Sequence, residues 1–421
     1  MREDLQAVVE RVRSLAAVDL AGIITPDRLL APGPDDEAQA WAVIARRLDD
    51  VRREEVNSGN EIDDAMVDEI AQQVFDQLLR LGPLQRHLAD PDVEEVMVNG
   101  FGTAFAIRSG GRKERIATGF ATEAELQAFV SRTVAATGRR LDQASPAVDA
   151  RLPDGSRLHA IAPPLAPFTC LTIRRHRLLA HSLADLEALG TLTPQLRQFL
   201  AAAVRAGLNI LISGGTASGK TTTLNALGSA IPASERVVTI EETVELALDR
   251  HLDDCVALEA RFANVEGVGQ VVIRSLVRHA LRMRPNRIVV GEVRGPEALD
   301  MLGAMNSGHP GSMGTIHADG PRQALAKLRT YAMAAEERLS AEVLNDMIGD
   351  TIDLVVQLRS DPDGSRVVSA VAEVAGTDSG RVLTNDLFVT PRGIPEWTGL
   401  MPRTADRLRD SGLADDTLKV S

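Results

Sequence analysis

Lysine is the scarcest cation in this sequence: only Lys113, Lys220, Lys327 and Lys419 stand among 46 basic residues. Arginine is the habitual cation, so a lysine in a chemically demanding place is marked out. Cysteine is scarce as well. Cys170 and Cys255 lie far apart without metal-like spacing, which excludes a disulfide framework or a zinc cluster and leaves two thiols expected to be buried. No apolar run approaches the ~18 residues of a membrane-spanning helix, and no basic-then-apolar leader opens the chain. A cytoplasmic protein is expected, able to lie peripherally on the inner face of the cell membrane. Positive charge is in deficit too. A net charge of −13 argues against nucleic acid as the main partner, because duplex binding needs a cationic field that releases counterions.

What is present is enough chain for several cores: 421 residues, 44% of them apolar. Residues 1–82 carry helical periodicity at Leu5, Val8, Val9, Val12 and Leu15, then Trp41, Ile44, Leu48 and Val51, then Met66, Ile70, Val74 and Leu78, with "APGPDDE" and "NSGN" as loops. A three-helix element is predicted. Residues 83–177 change to short strands around one helix, "EAELQAFVSRTVAATG", with "PDG" turning between two extended runs, which predicts a small α+β domain. Residues 178–192 read as a linker. From 193 to 421 helices and strands alternate as in a helix-covered parallel sheet, and "RVVSAVAEVAG" and "RVLTNDLFVT" form a finishing hairpin before a short polar helix.

Within that last region the buried run Leu208–Ile212 leads into "GGTASGKTTTLNAL". Gly214, Gly219, Lys220 and Thr221 have the P-loop spacing between a strand and a helix. The run Gly214, Gly215, Thr216, Ala217, Ser218, Gly219, Lys220, Thr221 and Thr222 would wrap backbone N–H groups around phosphate. Lys220 would reach the β and γ phosphates of ATP, and the Thr221 hydroxyl would ligate Mg²⁺.

The acid partner is unusual. "RMRPNRIVVGEVRG" delivers Gly291 and Glu292 at a strand end where an aspartate followed by a glutamate is the ordinary pattern, and "ERVVTIEETVEL" delivers Glu241 and Glu242 at another. Ligands of parallel sheets sit beyond the carboxyl ends of strands, so these acids can converge on the P-loop crevice. Mg²⁺ keeps several waters, so Glu242 and Glu292 can serve it through water while Glu292 orients the attacking water. The catalytic set is therefore Lys220, Glu241, Glu242 and Glu292.

Together "GGTASGKTT", "TIEETVEL", "RMRPNRIVVGEVRG" and "MNSGHPGSMGTIHA", with "LADPDVEEVMVNG" and "VDARLPDGSRLHAIAPPL" upstream, resemble the type II/IV secretion ATPase superfamily, and within it the CpaF/TadA-type ATPases of tight-adherence (Flp) pili. The resemblance covers roughly residues 80–375. It implies an α/β fold: a RecA-like P-loop ATPase domain behind a smaller α+β domain and a helical element, assembled as a hexamer. It also implies a partner, an inner-membrane platform of a pilus or secretion system. By the same resemblance "TIEE" is an Asp box, His309 and His317 form a His box coupling nucleotide state to interface geometry, and the arginines that stabilise transition-state charge come from Arg151, Arg157, Arg174, Arg175 and Arg261. Closure of the small domain over the nucleotide would transmit force.

Two departures bear on this. Asn286 stands where relatives have aspartate, but six extended residues, roughly 20 Å, separate it from Glu292, which makes it a matter of local capping. Ala217 stands where glycine is commoner. Arg274, Arg278 and Arg282 share a helix face that could meet the next subunit or line a pore. The rival readings are a type IV secretion or conjugation traffic ATPase, a nucleotide-gated scaffold with little turnover, and a RecA-like DNA motor.

Overall fold

Alternating apolar residues dictate where the chain buries itself, and in the computed structural model two compact units result, Met1–Arg177 and Leu178–Ser421. The structure describes residues 2–24, 28, 32–57, 62–175, 180–261, 263, 268–361, 363–391, 393–414 and 417, without the side chains of 2–6 and 110. Leu5's side chain and most of "NSGN" therefore lie outside the described residues.

Among the described residues the first unit opens with three helices, Arg2–Leu20, Pro34–Asn57 and Asp64–Leu79. Val8, Val9, Val12, Ala16 and Leu20 face Ile44, Leu48, Val51, Ile70, Val74 and Phe75 in one core. Leu15 is a correction. Ala16 takes the inward position one residue on, and Leu15 is exposed. Trp41 is as exposed as Leu15 but stacks on Phe75 with ring centroids 4.5 Å apart. "APGPDDE" is not all loop either: the second helix begins at Pro34, where a proline's missing N–H costs nothing, and the buried Asp36 carboxylate accepts the Gly33 N–H at 3.0 Å.

Six antiparallel strands follow: β1 (Val93–Asn99), β2 (Ala104–Arg108), β3 (Lys113–Ile116), β4 (Ala147–Arg151), β5 (Arg157–Ile161) and β6 (Cys170–Arg174), ordered β3-β2-β1-β6-β5-β4. Val96, Val98, Leu158, Ala160, Leu171 and Ile173 point to one face and are covered by the helix Glu123–Ala135. Period-2 alternation sends Arg151, Arg157, Arg174 and His159 to the other.

Among the described residues the second unit is built on nine strands: β7 (Ile210–Gly214), β8 (Val237–Glu241), β9 (Cys255–Glu259), β10 (Arg287–Val293), β11 (Met313–His317), β12 (Leu354–Ser360), β13 (Arg366–Asp378), β14 (Arg381–Val389) and β15 (Glu396–Trp397), ordered β15-β14-β13-β12-β7-β11-β10-β8-β9. The six from β12 to β9 are parallel; β13, β14 and β15 add antiparallel pairs at one side, as the expected hairpin requires. Successive residues of β7 feed opposite cores, Ile210 and Ile212 one and Leu211 the other. Both faces are therefore sealed, and β7 reads as a continuous apolar run for that reason.

The stretch expected as a linker, 178–192, is a correction. From Ala180 it belongs to this unit: Ser182 and Asp185 form a capping box on the helix Leu183–Ala188, and Leu183, Leu186 and Leu192 are buried in its core. The cysteines are corrected too. Both are half-exposed, with burial pushing Cys170 up and Cys255 up to about 11. Among the described residues no helix is long and apolar enough to cross a membrane.

Candidate active site

The P-loop leaves β7 at Gly214, where a side chain would collide with Ser218 Oγ and with the Leu358 backbone of β12. Beneath it Ser213 donates to Gln357 on β12, whose Nε2 donates to Ala318 O at 3.2 Å, tying three strand ends together. Ser218 Oγ donates to Gly215 O at 2.9 Å, and the loop closes through two left-handed residues, Ala217 (φ 57°) and Gly219 (φ 91°), into the helix Lys220–Gly228. Lys220 folds back, donating to Gly214 O at 3.1 Å and Gly215 O at 2.7 Å. Open space lies beside Gly215, Thr216 and Ala217 are exposed, and Thr221 and Thr222 are half-buried in the first helical turn. A concave loop of amides at a helix start with room outside suits a phosphate chain.

Strand order sets the rest. Parallel strands present their carboxyl ends on one side, so β11, β10 and β8 continue from the P-loop strand in steps of about 4.8 Å. Glu292, about 10 Å from β7 by that spacing, is half-buried near the end of β10; Glu242, just past β8, is exposed. Arg294 bridges them, with Nη2 2.6 Å from Glu292 Oε2 and Nη1 3.1 Å from Glu242 Oε2. The Glu292 hydrogen bond, ahead of the cost of burial, raises the Arg294 pKa.

Glu241 is different. It is buried, and Oε1 accepts the N–H groups of Glu245 at 3.0 Å and Leu246 at 3.1 Å. Its side chain also fills the space that a Cβ on Gly291 would need, which explains that glycine. A carboxylate so engaged organises the turn after β8, and the expectation that Glu241 is catalytic is corrected accordingly. Among the described residues no three His, Cys, Asp or Glu gather as a metal cage. Thr221 with one or two carboxylates acting through water is what Mg²⁺ asks of a protein, so the donor set fits that ion.

A family model described as type II/IV secretion system protein matches residues 77–374. The chain belongs to that family. With the P-loop above, it is a P-loop secretion ATPase with a RecA-like domain, converting ATP to ADP and phosphate. It is similar to a Mycobacterium tuberculosis protein named for conjugal transfer, 37% identical over 76% of this chain and 94% of that one. The VirB11 protein of Agrobacterium fabrum is 33% identical over 67% of this chain and 89% of its own length. Among solved structures, the VirB11 ATPase of the Brucella suis type IV secretion system, in complex with sulphate, is 28% identical over 69% of this chain and 95% of that one, with a TM-score of 0.38.

Other candidates of this secretion ATPase fall into place or out of it. His317 ends β11 in register with Gly214, half-buried beside the P-loop. His309 does not join it. It lies before the amino end of β11, its ring within 3.1 Å of Ala304 O, so a whole strand separates the two histidines. Arg151, Arg157 and Arg174 stand directly opposite one another on β4, β5 and β6, a row of three cations on the polar face. Arg175 is not with them; its Nη1 donates to Asp90 O at 2.7 Å, binding its own domain. Arg261 pairs with Val271 past the end of edge strand β9, its side chain exposed against Gly269.

The arginine stripe is corrected. Arg274 and Arg278 both clasp Asp300 at 2.7 Å and both pair with Glu337, so they fasten their own helix, while Arg282 lies beyond the helix end. Asn286 lies at the end of the sheet away from the P-loop, its Oδ1 accepting Arg236 N–H at 2.8 Å. One neighbour went unread in the sequence: Arg366, at the start of β13, packs against Gly219. No local motif marks it, because the hairpin that carries it returns to the P-loop 147 residues after Gly219.

Proposed function

We propose that this ATPase is the motor of a Tad/Flp-type pilus or secretion apparatus, working as a hexameric ring in the cytoplasm against an inner-membrane platform. The observation that supports it best is the alignment of a complete P-loop with Glu292 and Glu242 along one row of strand ends. Lys220 and the loop amides hold the phosphates, and Glu292 accepts a hydrogen bond from a water aligned with the γ phosphorus. The water oxygen bonds to phosphorus as the bond to the ADP oxygen breaks. Thr221, with Glu242 and Glu292 through water, would hold Mg²⁺, which supplies charge neutralisation on the β and γ phosphates.

The row Arg151–Arg157–Arg174 suits a polyanion, because three guanidinium groups on adjacent strands present forked donors side by side, matching a chain of phosphates. We assign these three, with Arg261 as a further candidate, to the phosphates of a nucleotide at a subunit boundary. His317 is cast as the residue that senses P-loop state.

A second reading changes the cargo. Relatives named for conjugal transfer and VirB11, matched over most of their length, favour a conjugation or type IV traffic ATPase at least as well as a pilus motor. Steady-state Mg-ATP turnover, with molar mass on the same sample, tests the shared mechanism. Turnover lost in Lys220→Ala and in Glu292→Gln, with nucleotide binding kept in the latter and a six-chain mass, supports it; wild-type turnover in Glu292→Gln sinks it. Co-purification with a pilin-system or a conjugation-system platform separates the two cargoes.

A further inference from the structure

We propose that Arg294 is a positioning residue that latches Glu292 and Glu242 together and has to surrender them before the site can take its metal. The proposal rests on the reading of those two carboxylates given above. Its basis is geometric. The two guanidinium Nη atoms go to different strands' acids, Nη2 to Glu292 Oε2 at 2.6 Å and Nη1 to Glu242 Oε2 at 3.1 Å. The base of the latch is fixed, because the buried Glu297 carboxylate accepts the backbone N–H of Arg294 at 2.7 Å and of Gly295 at 2.8 Å. Its head is not confined: the Arg294 side chain is 53% exposed, so the guanidinium can swing into water while its backbone stays put.

The chemistry follows. A carboxylate that accepts a charged hydrogen bond is a weaker acceptor for anything else, so Glu292 held by Arg294 is a poor orienter of water. A dication at the same pair of acids gains more from them than a guanidinium does, but only after the arginine has been displaced. Arg294 therefore competes with the divalent ion, and the latch couples metal arrival to release of Glu292.

The test measures metal binding apart from turnover. Mn²⁺ is titrated into the ADP-loaded full-length chain and the unbound ion is read by electron paramagnetic resonance, for wild type, Arg294→Gln and Arg294→Lys. Arg294→Gln should bind Mn²⁺ about threefold more tightly or better, since a competing charge is gone, and Arg294→Lys, which keeps one cation but cannot fork to two acids, should fall between. Unchanged or weaker Mn²⁺ binding in a folded Arg294→Gln overturns the latch. Glu292→Gln in the turnover assay keeps the two failures apart. If it hydrolyses ATP like wild type, the site reading itself is wrong; if it is dead while Arg294→Gln binds Mn²⁺ as wild type does, only the latch is.

Discussion

Asn286 and Arg236 hold each other by two hydrogen bonds at the amino ends of β10 and β8: Asn286 Oδ1 accepts the Arg236 N–H at 2.8 Å, and the Asn286 N–H donates to Arg236 O at 2.8 Å. The side-chain bond clips the two strands in register far from the nucleotide loop, while β10 runs on to Glu292 at its other end. Asn286→Asp should leave turnover within about twofold of wild type, because an aspartate still accepts the bond. Asn286→Ala should lower stability by ~1 kcal/mol with the same turnover per folded chain. Parallel denaturation and steady-state kinetics read both, and a large loss of turnover in a stable Asn286→Asp would contradict this assignment.

The two neighbouring glutamates should separate by readout. Glu241→Ala removes a buried acceptor from the Glu245 and Leu246 amides and should cost ~2 kcal/mol or more of stability. Glu242→Gln, on an exposed side chain, should leave the melting temperature nearly unchanged and raise the Mg²⁺ concentration needed for half-maximal turnover. The reverse pattern would return Glu241 to the catalytic set.

Ala217 is held at φ 57°, a conformation costing an L-residue ~1 kcal/mol. Ala217→Gly should therefore match or exceed wild-type stability and keep full ADP affinity. Ala217→Val, β-branched at a positive φ, should lose about tenfold or more in ADP affinity. Calorimetric ADP titration of both variants decides the point; unimpaired binding by Ala217→Val would show that the loop does not need this shape.

Neutralising one of the arginine row should trade activity for ease of folding. Arg174→Gln removes a like-charge neighbour of Arg157, so the melting temperature should hold or rise while turnover falls about tenfold or more. ADP affinity of the isolated subunit should change little if the row serves a neighbouring subunit's nucleotide, and thermal melts beside turnover measurements would expose the opposite outcome.

How much of this could be read from the chain depended on how local each cause was. The P-loop is a contiguous phosphate-shaped run, and the alternation of strand and helix around it fixes a parallel sheet, so both were legible. Glu241 and Glu242 were not separable, because which one turns inward depends on the space above Gly291, a residue fifty positions later. The helical spacing of Arg274 and Arg278 was real, but their partners Asp300 and Glu337 come from distant segments, and a free-looking stripe became an internal clasp. Pro34 could have been placed in its helix from the start: a proline followed by three acids, Asp35, Asp36 and Glu37, is a helix opening. Arg366 had no such cue.

The histidines at either end of β11 give that strand a mechanical meaning. His317 lies against the nucleotide loop and His309 precedes the strand's far end, with Met313, Gly314 and Ile316 paired through the backbone to both β7 and β10 and the Thr315 hydroxyl donating to Gly291 O at 2.6 Å. Pairing on both sides stiffens the strand between the two histidines. The central sheet thus has the build of a pushrod: a shift at the phosphate side would be carried along β11 to its amino end, some 15 Å away by strand rise.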